Sequence, residues 1–183
     1  MAGSKVINPE QKQKAIDAAL EFMNSGCNCA ESTIRGLISA EIIDMPTNIA
    51  HKVLCSFGSG GGRAGLSCGA LCAGMVALNW EFGREDPFVI ENPKDRSAQL
   101  GEYIYVYTNN FVKRFVDSNG TALCKEVIER NGNYFSEDRA KDCFKIVKSA
   151  VEHVCDMMEL SEEELKVLPP GYTILSIGAE EKN

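Results

Sequence analysis

The chain has 183 residues, of which 44% are hydrophobic and 25% are charged, close to the averages for soluble globular proteins. This length suits one domain with its own core, so we expect a single domain over residues 1–183, with irregular termini at 1–8 and 170–183. The net charge of -7 argues against a nucleic-acid partner, because binding to a phosphate backbone requires a basic face.

Hydropathy and cysteine content indicate the compartment. Residues 1–20 lack the apolar run of a signal peptide, and no window holds the roughly 18 apolar residues of a membrane span. We therefore expect a soluble, cytoplasmic protein without membrane insertion. The chain has 8 cysteines, and in a reducing compartment such a set indicates metal binding, thiol chemistry or simple burial rather than a disulfide framework.

The first two predicted helices have clear start signals. An Asn-Pro pair at Asn8 predicts a helix that ends near Asn24. Asn28 and Glu31 have the spacing of a capping box, which predicts a second helix. This start would place Cys29 in the first turn of the second helix.

Two further helices are predicted on either side of a glycine run. A short third helix opens at Pro46 or Thr47 and ends at the glycines. Ser67 is a good capping residue for a buried fourth helix, which would carry Cys68 in its first turn and end at Gly83.

The second half of the chain continues the helical pattern. Residues 96–116 predict a long helix, although their many β-formers leave a strand as the alternative. Thr121 is expected to cap a short helix bearing Cys124, and Ser136 to open a helix that ends near Met158. The whole pattern predicts an all-α, single-domain bundle of about six or seven helices, with a glycine-rich loop before the fourth.

Several cysteines are candidates for chemistry. Three of them lie at predicted helix starts: Cys29, Cys68 and Cys124. Backbone amides and the helix dipole favour a thiolate there, so each is a candidate for activation or metal ligation. Cys72 shares a helix face with Cys68, and Cys27 forms a C-x-C with Cys29, but the sequence leaves open whether either joins a site.

Other conspicuous residues are expected to serve packing. Cys55 and Cys155 lie in apolar stretches and are predicted to be buried. The same expectation applies to one set of aromatic residues, namely Trp80, Tyr103, Tyr105, Tyr107 and Phe111.

The glycine-rich segment FGSGGGRAGLSCGALCAG occupies residues 57–74. It lacks the Lys-Ser or Lys-Thr of a P-loop and follows a helix rather than a strand, so we expect no nucleotide. Its amides and one arginine are instead predicted to face an anion, a cofactor or the thiolate of Cys68. The residues expected to do so are Gly60, Gly61, Gly62, Gly69 and Arg63.

These features resemble the C_GCAxxG_C_C family, which is described as redox-active. The resemblance covers roughly residues 10–155 and rests on NCAES in a capped helix, a glycine-rich segment ending in CGA, and two later, separate cysteines. In CGALCAG, Ala73 stands where the family motif has its final glycine. The four hallmark cysteines of the family fall on Cys29, Cys68, Cys124 and Cys143.

The resemblance implies redox chemistry or metal binding at these four cysteines. Split-Soret cytochromes share the cysteine pattern, where it is associated with an iron–sulfur cluster, so such a cluster or zinc is expected on the four thiolates. No c-type haem is expected, because the chain has no C-x-x-C-H.

Two alternatives remain open at this point. One is a metal-free thiol–disulfide redox protein in which Cys68 attacks and another of the four cysteines resolves. The other is a non-catalytic helical binding protein with buried free thiols. The sequence does not name a redox partner, and the aromatic-rich helix 96–116 suggests a face that a homodimer would bury.

Overall fold

A computed structural model describes residues 5–169 and 171–172, which form helices joined by short loops. In chain order the helices are α1 (Pro9–Asn24), α2 (Cys29–Ser39), α3 (Thr47–Leu54), α4 (Gly58–Gly61), α5 (Gly69–Phe82), α6 (Pro93–Gln99), α7 (Tyr105–Asn119), α8 (Cys124–Arg130), α9 (Glu137–Met158) and α10 (Glu162–Lys166). These described residues contain no strand, only an isolated bridge between Ser67 and Leu123. The predicted all-α fold is confirmed.

The predicted irregular termini fall mostly on residues 1–4, 170 and 173–183, which lie outside the described residues. None of the described helices is both long and apolar enough to cross a membrane.

Local capping signals set the predicted helix starts. The side chain of Asn8 accepts a hydrogen bond from the Gln11 amide at 2.8 Å. Asn28 accepts from the amide of Glu31, whose carboxylate accepts in return from the Asn28 amide, so the predicted capping box is present. Ser136 caps α9 as expected. These starts are satisfied within four residues of chain, which explains why the sequence predicts them.

Three boundaries differ from the prediction, and one of them is the start of α8, where Leu123 rather than Thr121 is the N-cap residue. Helix α5 begins at Gly69, so Cys68 rather than Ser67 is its N-cap residue. The reason is long-range, since the Cys68 amide donates to the Ala122 carbonyl at 2.8 Å and is tied to the segment before α8. The long helix predicted at 96–116 is a continuous helical segment of α6, a π-helical turn and α7, and its strand alternative is wrong.

Close contacts between helices fix the positions of α2 and α5. Gly36 lets α2 approach α1, because a Cβ atom there would lie 2.4 Å from the Ala15 carbonyl oxygen. Gly74 of α5 accepts the ring of Phe111 from α7, whose Cζ atom would be 2.2 Å from a Cβ. Helix α9 packs against α1, α2, α5 and α7 in the same hydrophobic core. The N-termini of α2 and α5 are therefore fixed relative to each other by packing.

The packing expectations are only partly confirmed. Cys155 is fully buried, as predicted. The prediction that Cys55 is buried is wrong, because this residue lies exposed at the C-terminal end of α3. Trp80 is 41% exposed and donates from Nε1 to Asp44 Oδ1 at 2.8 Å, while Tyr105 is 59% exposed. These side chains lie on the solvent side of helices whose opposite faces are buried.

Candidate functional site

The starts of several helices meet around one pocket of about 280 Å³. Five cysteines form part of its wall: Cys27, Cys29, Cys68, Cys124 and Cys143. The structure thus brings together the four cysteines singled out from the sequence and adds Cys27. Their catalytic or metal-binding roles stay predictions.

Cys29 and Cys68 contact each other where two helices begin. Cys29 is the first residue of α2, and Cys68 is the N-cap residue of α5. The Cys68 thiol lies within hydrogen-bonding reach of the Cys29 sulfur. Gly69 makes this approach possible, because a Cβ atom there would lie only 2.6 Å from Cys29 Sγ. The predicted role of Gly69 in a close backbone approach therefore has a specific neighbour in the structure, the sulfur of Cys29.

Hydrogen bonds lower the pKa of Cys29 from 9.0 to about 6. The largest cause is the hydrogen bond donated by the Cys68 thiol, and burial works against the shift. Further amide hydrogen bonds stabilise the charge, and they come from Ser59, Ala30 and Gly69. Cys29 is therefore mainly a thiolate at neutral pH.

The pKa of Cys68 is raised well above its usual value of 9.0. The first cause is its hydrogen bond to Cys29, followed by burial and the Cys29 charge, while the amides of Leu71 and Ala70 oppose the rise. These directions favour Cys29, rather than the expected Cys68, as the thiolate of the pair. Arg63 is exposed and is not part of the pocket wall, so it does not hold the sulfur of Cys68.

Three further thiols in or near the pocket, those of Cys143, Cys124 and Cys72, favour their protonated forms. Burial raises the pKa of Cys143 to about 11, and burial with the Cys29 charge raises that of Cys124. The positive charge of Arg139 opposes both shifts. Cys72 is buried, and burial together with the Cys29 charge raises its pKa, but it does not line the pocket. The pocket therefore combines the Cys29 thiolate with the neutral thiols of Cys68, Cys124 and Cys143.

The glycine run, which includes the short α4, forms a left-handed turn next to the pocket. Five consecutive residues have φ between 56° and 82°: Ser59, Gly60, Gly61, Gly62 and Arg63. Glycine adopts this conformation without the steric cost that other residues carry. Gly60 is also packed, since a Cβ there would lie 2.8 Å from Cys124 Cβ. Gly60, Gly61 and Gly62, expected to contact a cofactor, are absent from the pocket wall.

Ser59 connects this turn to the pocket. It has a φ of 56° although it is not glycine, and its amide donates to the Cys29 sulfur. Its Oγ lies 2.8 Å from the hydroxyl oxygen of Tyr134. Arg139 stacks over the Tyr134 ring, 4.5 Å from its centroid. The sequence does not predict Ser59, Tyr134 or Arg139 as site residues, because no local signal shows that these distant segments meet here.

The arrangement of these side chains also tests the predicted metal centre. Within the part of the chain that the structure describes, no group of three or more His, Cys, Asp or Glu side chains is placed to hold a metal ion. The four thiols share a pocket, yet their described positions do not fit a preformed metal site. A metal or iron–sulfur centre on Cys29, Cys68, Cys124 and Cys143 stays a prediction.

Comparisons with known proteins place the chain in a family. A family model described as "Putative redox-active protein (C_GCAxxG_C_C)" matches residues 27–157. This range includes the cysteines of the pocket wall and most of the described helices. No curated protein and no solved structure matches the chain. The chain belongs to the C_GCAxxG_C_C family, whose description is redox activity.

Proposed function

We propose that the protein is a thiol–disulfide redox protein in which Cys29 and Cys68 interconvert between a dithiol and a disulfide. The observation that carries this proposal is the contact between a stabilised Cys29 thiolate and the Cys68 thiol inside a pocket. The proposal keeps the thiol–disulfide alternative, in which Cys68 was expected to attack, but makes Cys29 the attacking cysteine and Cys68 the resolving one.

The electrostatics of Cys29 suit nucleophilic attack on a disulfide. The thiolate is the reactive form of cysteine, and attack is fastest for a thiol whose pKa lies near the ambient pH. A Cys29 pKa of about 6 provides a high thiolate fraction at neutral pH while retaining much of the nucleophilicity. The protonated Cys68 meanwhile stays unreactive.

The reaction proceeds in two exchanges. The Cys29 thiolate attacks one sulfur of a substrate disulfide, so the substrate S–S bond breaks and one substrate thiolate leaves. Once the Cys29 sulfur is in a mixed disulfide, it carries no charge. The hydrogen bond to the Cys29 thiolate and the Cys29 charge then no longer raise the pKa of Cys68. Cys68 then transfers its proton to the departing thiolate and attacks the Cys29 sulfur, which releases the second substrate thiolate. Two electrons pass from the protein to the substrate, and an external thiol reductant restores the dithiol.

Counting the released thiols tests this sequence. Reduced wild type mixed with a small neutral disulfide is expected to release two substrate thiols per chain and to keep no adduct in its intact mass. Cys68→Ser is expected to release one and to retain a mixed disulfide, because the resolving thiol is missing. Cys29→Ser is expected to release none at a comparable rate.

A matched control is Cys55→Ser, because Cys55 is exposed and lies outside the pocket wall. This variant is expected to behave as wild type, apart from any adduct that the exposed Cys55 thiol forms in wild type. Reaction of Cys29→Ser at the wild-type rate would contradict the proposal.

A metal centre on the same thiols is the second candidate function. The observation that favours it is the presence of five cysteines in one pocket wall, one of them a thiolate, since soft thiolate ligands suit zinc and iron–sulfur clusters. Anaerobically purified protein with stoichiometric iron or zinc, lost on Cys124→Ser, would support this candidate. Metal-free protein that completes the two-thiol release would support the dithiol pair.

A further inference from the structure

The pocket contains a cation that has no carboxylate partner among the described residues. Arg139 lies in the first turn of α9 and forms part of the pocket wall. No carboxylate pairs with it in the described part of the chain, and its Nε is buried without a hydrogen-bond partner. The nearby acidic residues Glu137 and Asp138 lie beside Lys141 instead, at 3.9 and 3.4 Å.

This cation is held in place by an aromatic ring. The guanidinium carbon of Arg139 lies 4.5 Å from the centroid of the Tyr134 ring, and Tyr134 is itself fixed by its hydrogen bond with Ser59. A guanidinium oriented in this way presents a planar set of donors, which matches a carboxylate. Leaving such donors without a partner in a partly desolvated position costs free energy. An anionic ligand that accepts their hydrogen bonds would remove this cost.

Arg139 lies in the pocket but does not activate the Cys29 thiolate. Its charge opposes the rise in the pKa of Cys124 and Cys143, so it lies near the thiol side of the pocket. It is not among the causes that lower the pKa of Cys29. The nucleophile is thus stabilised by amides and by Cys68, and the charge of Arg139 is available to a ligand.

The rest of the wall indicates the size and character of that ligand. Apolar side chains complete the wall, namely Met23, Val127, Phe144 and Ile146. A volume of about 280 Å³ lies at the lower end of small-molecule pockets. The pocket therefore suits a small organic molecule with a short apolar body and one charged end.

We propose that the pocket binds small organic disulfides that carry a carboxylate, with the carboxylate on Arg139 and the S–S bond at Cys29. This inference rests on the proposed dithiol function and adds the substrate class. The reaction is the two-step exchange given above: the acidic disulfide gains two electrons and leaves as two thiols, and Cys29 and Cys68 become a disulfide. Arg139 acts as a positioning residue, because it binds the substrate end remote from the bond that breaks.

Three disulfides of similar size and different charge test the inference. The probes are 3,3′-dithiodipropionate, which is anionic, bis(2-hydroxyethyl) disulfide, which is neutral, and cystamine, which is cationic. Second-order rate constants are measured by rapid mixing with excess reduced wild type, Arg139→Gln, Arg139→Lys and Arg63→Gln. Because the probes differ in intrinsic reactivity, the quantity compared is the anionic-to-neutral rate ratio of each variant divided by that of wild type.

In Arg139→Gln we expect this ratio to fall by about tenfold or more, the effect of losing a charge-assisted hydrogen bond. Arg139→Lys is expected to retain part of the preference, since it keeps the charge but loses the planar donors. The cystamine rate is expected to rise when Arg139 is neutralised. Arg63→Gln removes the same charge from an exposed position outside the pocket wall and is expected to leave the ratio unchanged.

An unchanged ratio in Arg139→Gln, or an equal fall in Arg63→Gln, would overturn the inference, the second result because it would indicate a general charge effect. Reduction of the neutral disulfide by Arg139→Gln, whatever its absolute rate, shows that the variant is folded with an intact Cys29. Failure of the wild type to reduce even the neutral disulfide through Cys29 would overturn the proposed function itself, and this result differs from a lost charge preference.

Discussion

Replacing Cys68 with alanine perturbs the most informative contact of the pocket, the hydrogen bond to the Cys29 sulfur. This bond is the largest cause of the fall in the Cys29 pKa from 9.0 to about 6. That fall corresponds to about 4 kcal/mol in favour of the thiolate. Without the donor, only the amides oppose burial, so we expect the Cys29 pKa to rise by about two pH units or more.

The consequence is a measurable loss of thiolate at neutral pH. A pKa of about 6 makes roughly nine tenths of Cys29 a thiolate at pH 7, and a pKa near 8 leaves roughly one tenth. The thiolate fraction of Cys29 at pH 7 should therefore fall about tenfold in Cys68→Ala, and the midpoint of its alkylation profile should move up by the same two pH units. The assay is the pH dependence of iodoacetamide alkylation, followed at the Cys29 peptide by mass spectrometry.

Cys72→Ala is the matched control for this experiment. Cys72 is buried on the same helix as the site and senses the Cys29 charge, but it donates no hydrogen bond to Cys29. Its removal should leave the midpoint of the Cys29 alkylation profile nearly unchanged. A wild-type midpoint near 9.0, or equal midpoints in wild type and Cys68→Ala, would refute the reasoning.

Three further outcomes follow from the same contacts. Tyr134→Phe removes the hydrogen bond that holds Ser59 and should raise the Cys29 pKa by less than Cys68→Ala does, which the same alkylation profile measures. Gly69→Ala would place a Cβ 2.6 Å from Cys29 Sγ and should slow the release of both substrate thiols, whereas Gly101→Ala, with nothing within 4 Å, should not. The lowered Cys29 pKa stabilises the folded state fully above about pH 9 and progressively less as the pH falls toward 6. Urea unfolding should therefore show that the stability difference between wild type and Cys29→Ser decreases from pH 9 to pH 6, and a difference independent of pH would contradict the assigned shift.

The parts of the fold that the sequence predicts are those fixed by short stretches of chain. The capping box of Asn28 and Glu31 spans four residues and is found as expected. The start of α5 is displaced because the Cys68 amide binds Ala122, more than fifty residues away. The exposure of Cys55 likewise depends on which face of α3 the rest of the bundle covers.

The candidate site likewise has one part that short stretches of sequence predict and another that depends on contacts between distant segments. A position at a helix start predicts that a cysteine can become a thiolate, and this applied equally to Cys29 and Cys68. The choice between them depends on amides from two other segments, those of Ser59 and Gly69, which the sequence alone does not bring together. The glycine run serves a local purpose that was not predicted. Its residues adopt a left-handed turn, and this turn places the Ser59 amide at the Cys29 sulfur.

The central claim, a redox pair of Cys29 and Cys68, is tested most directly by mapping the disulfide of oxidised protein. Reduced wild type is oxidised with one equivalent of a small disulfide, its remaining thiols are alkylated at low pH, and the linked peptides are identified by mass spectrometry. The account predicts one reducible link, between Cys29 and Cys68, with Cys124 and Cys143 alkylated. A link that omits Cys29 or Cys68 in most of the protein would contradict it.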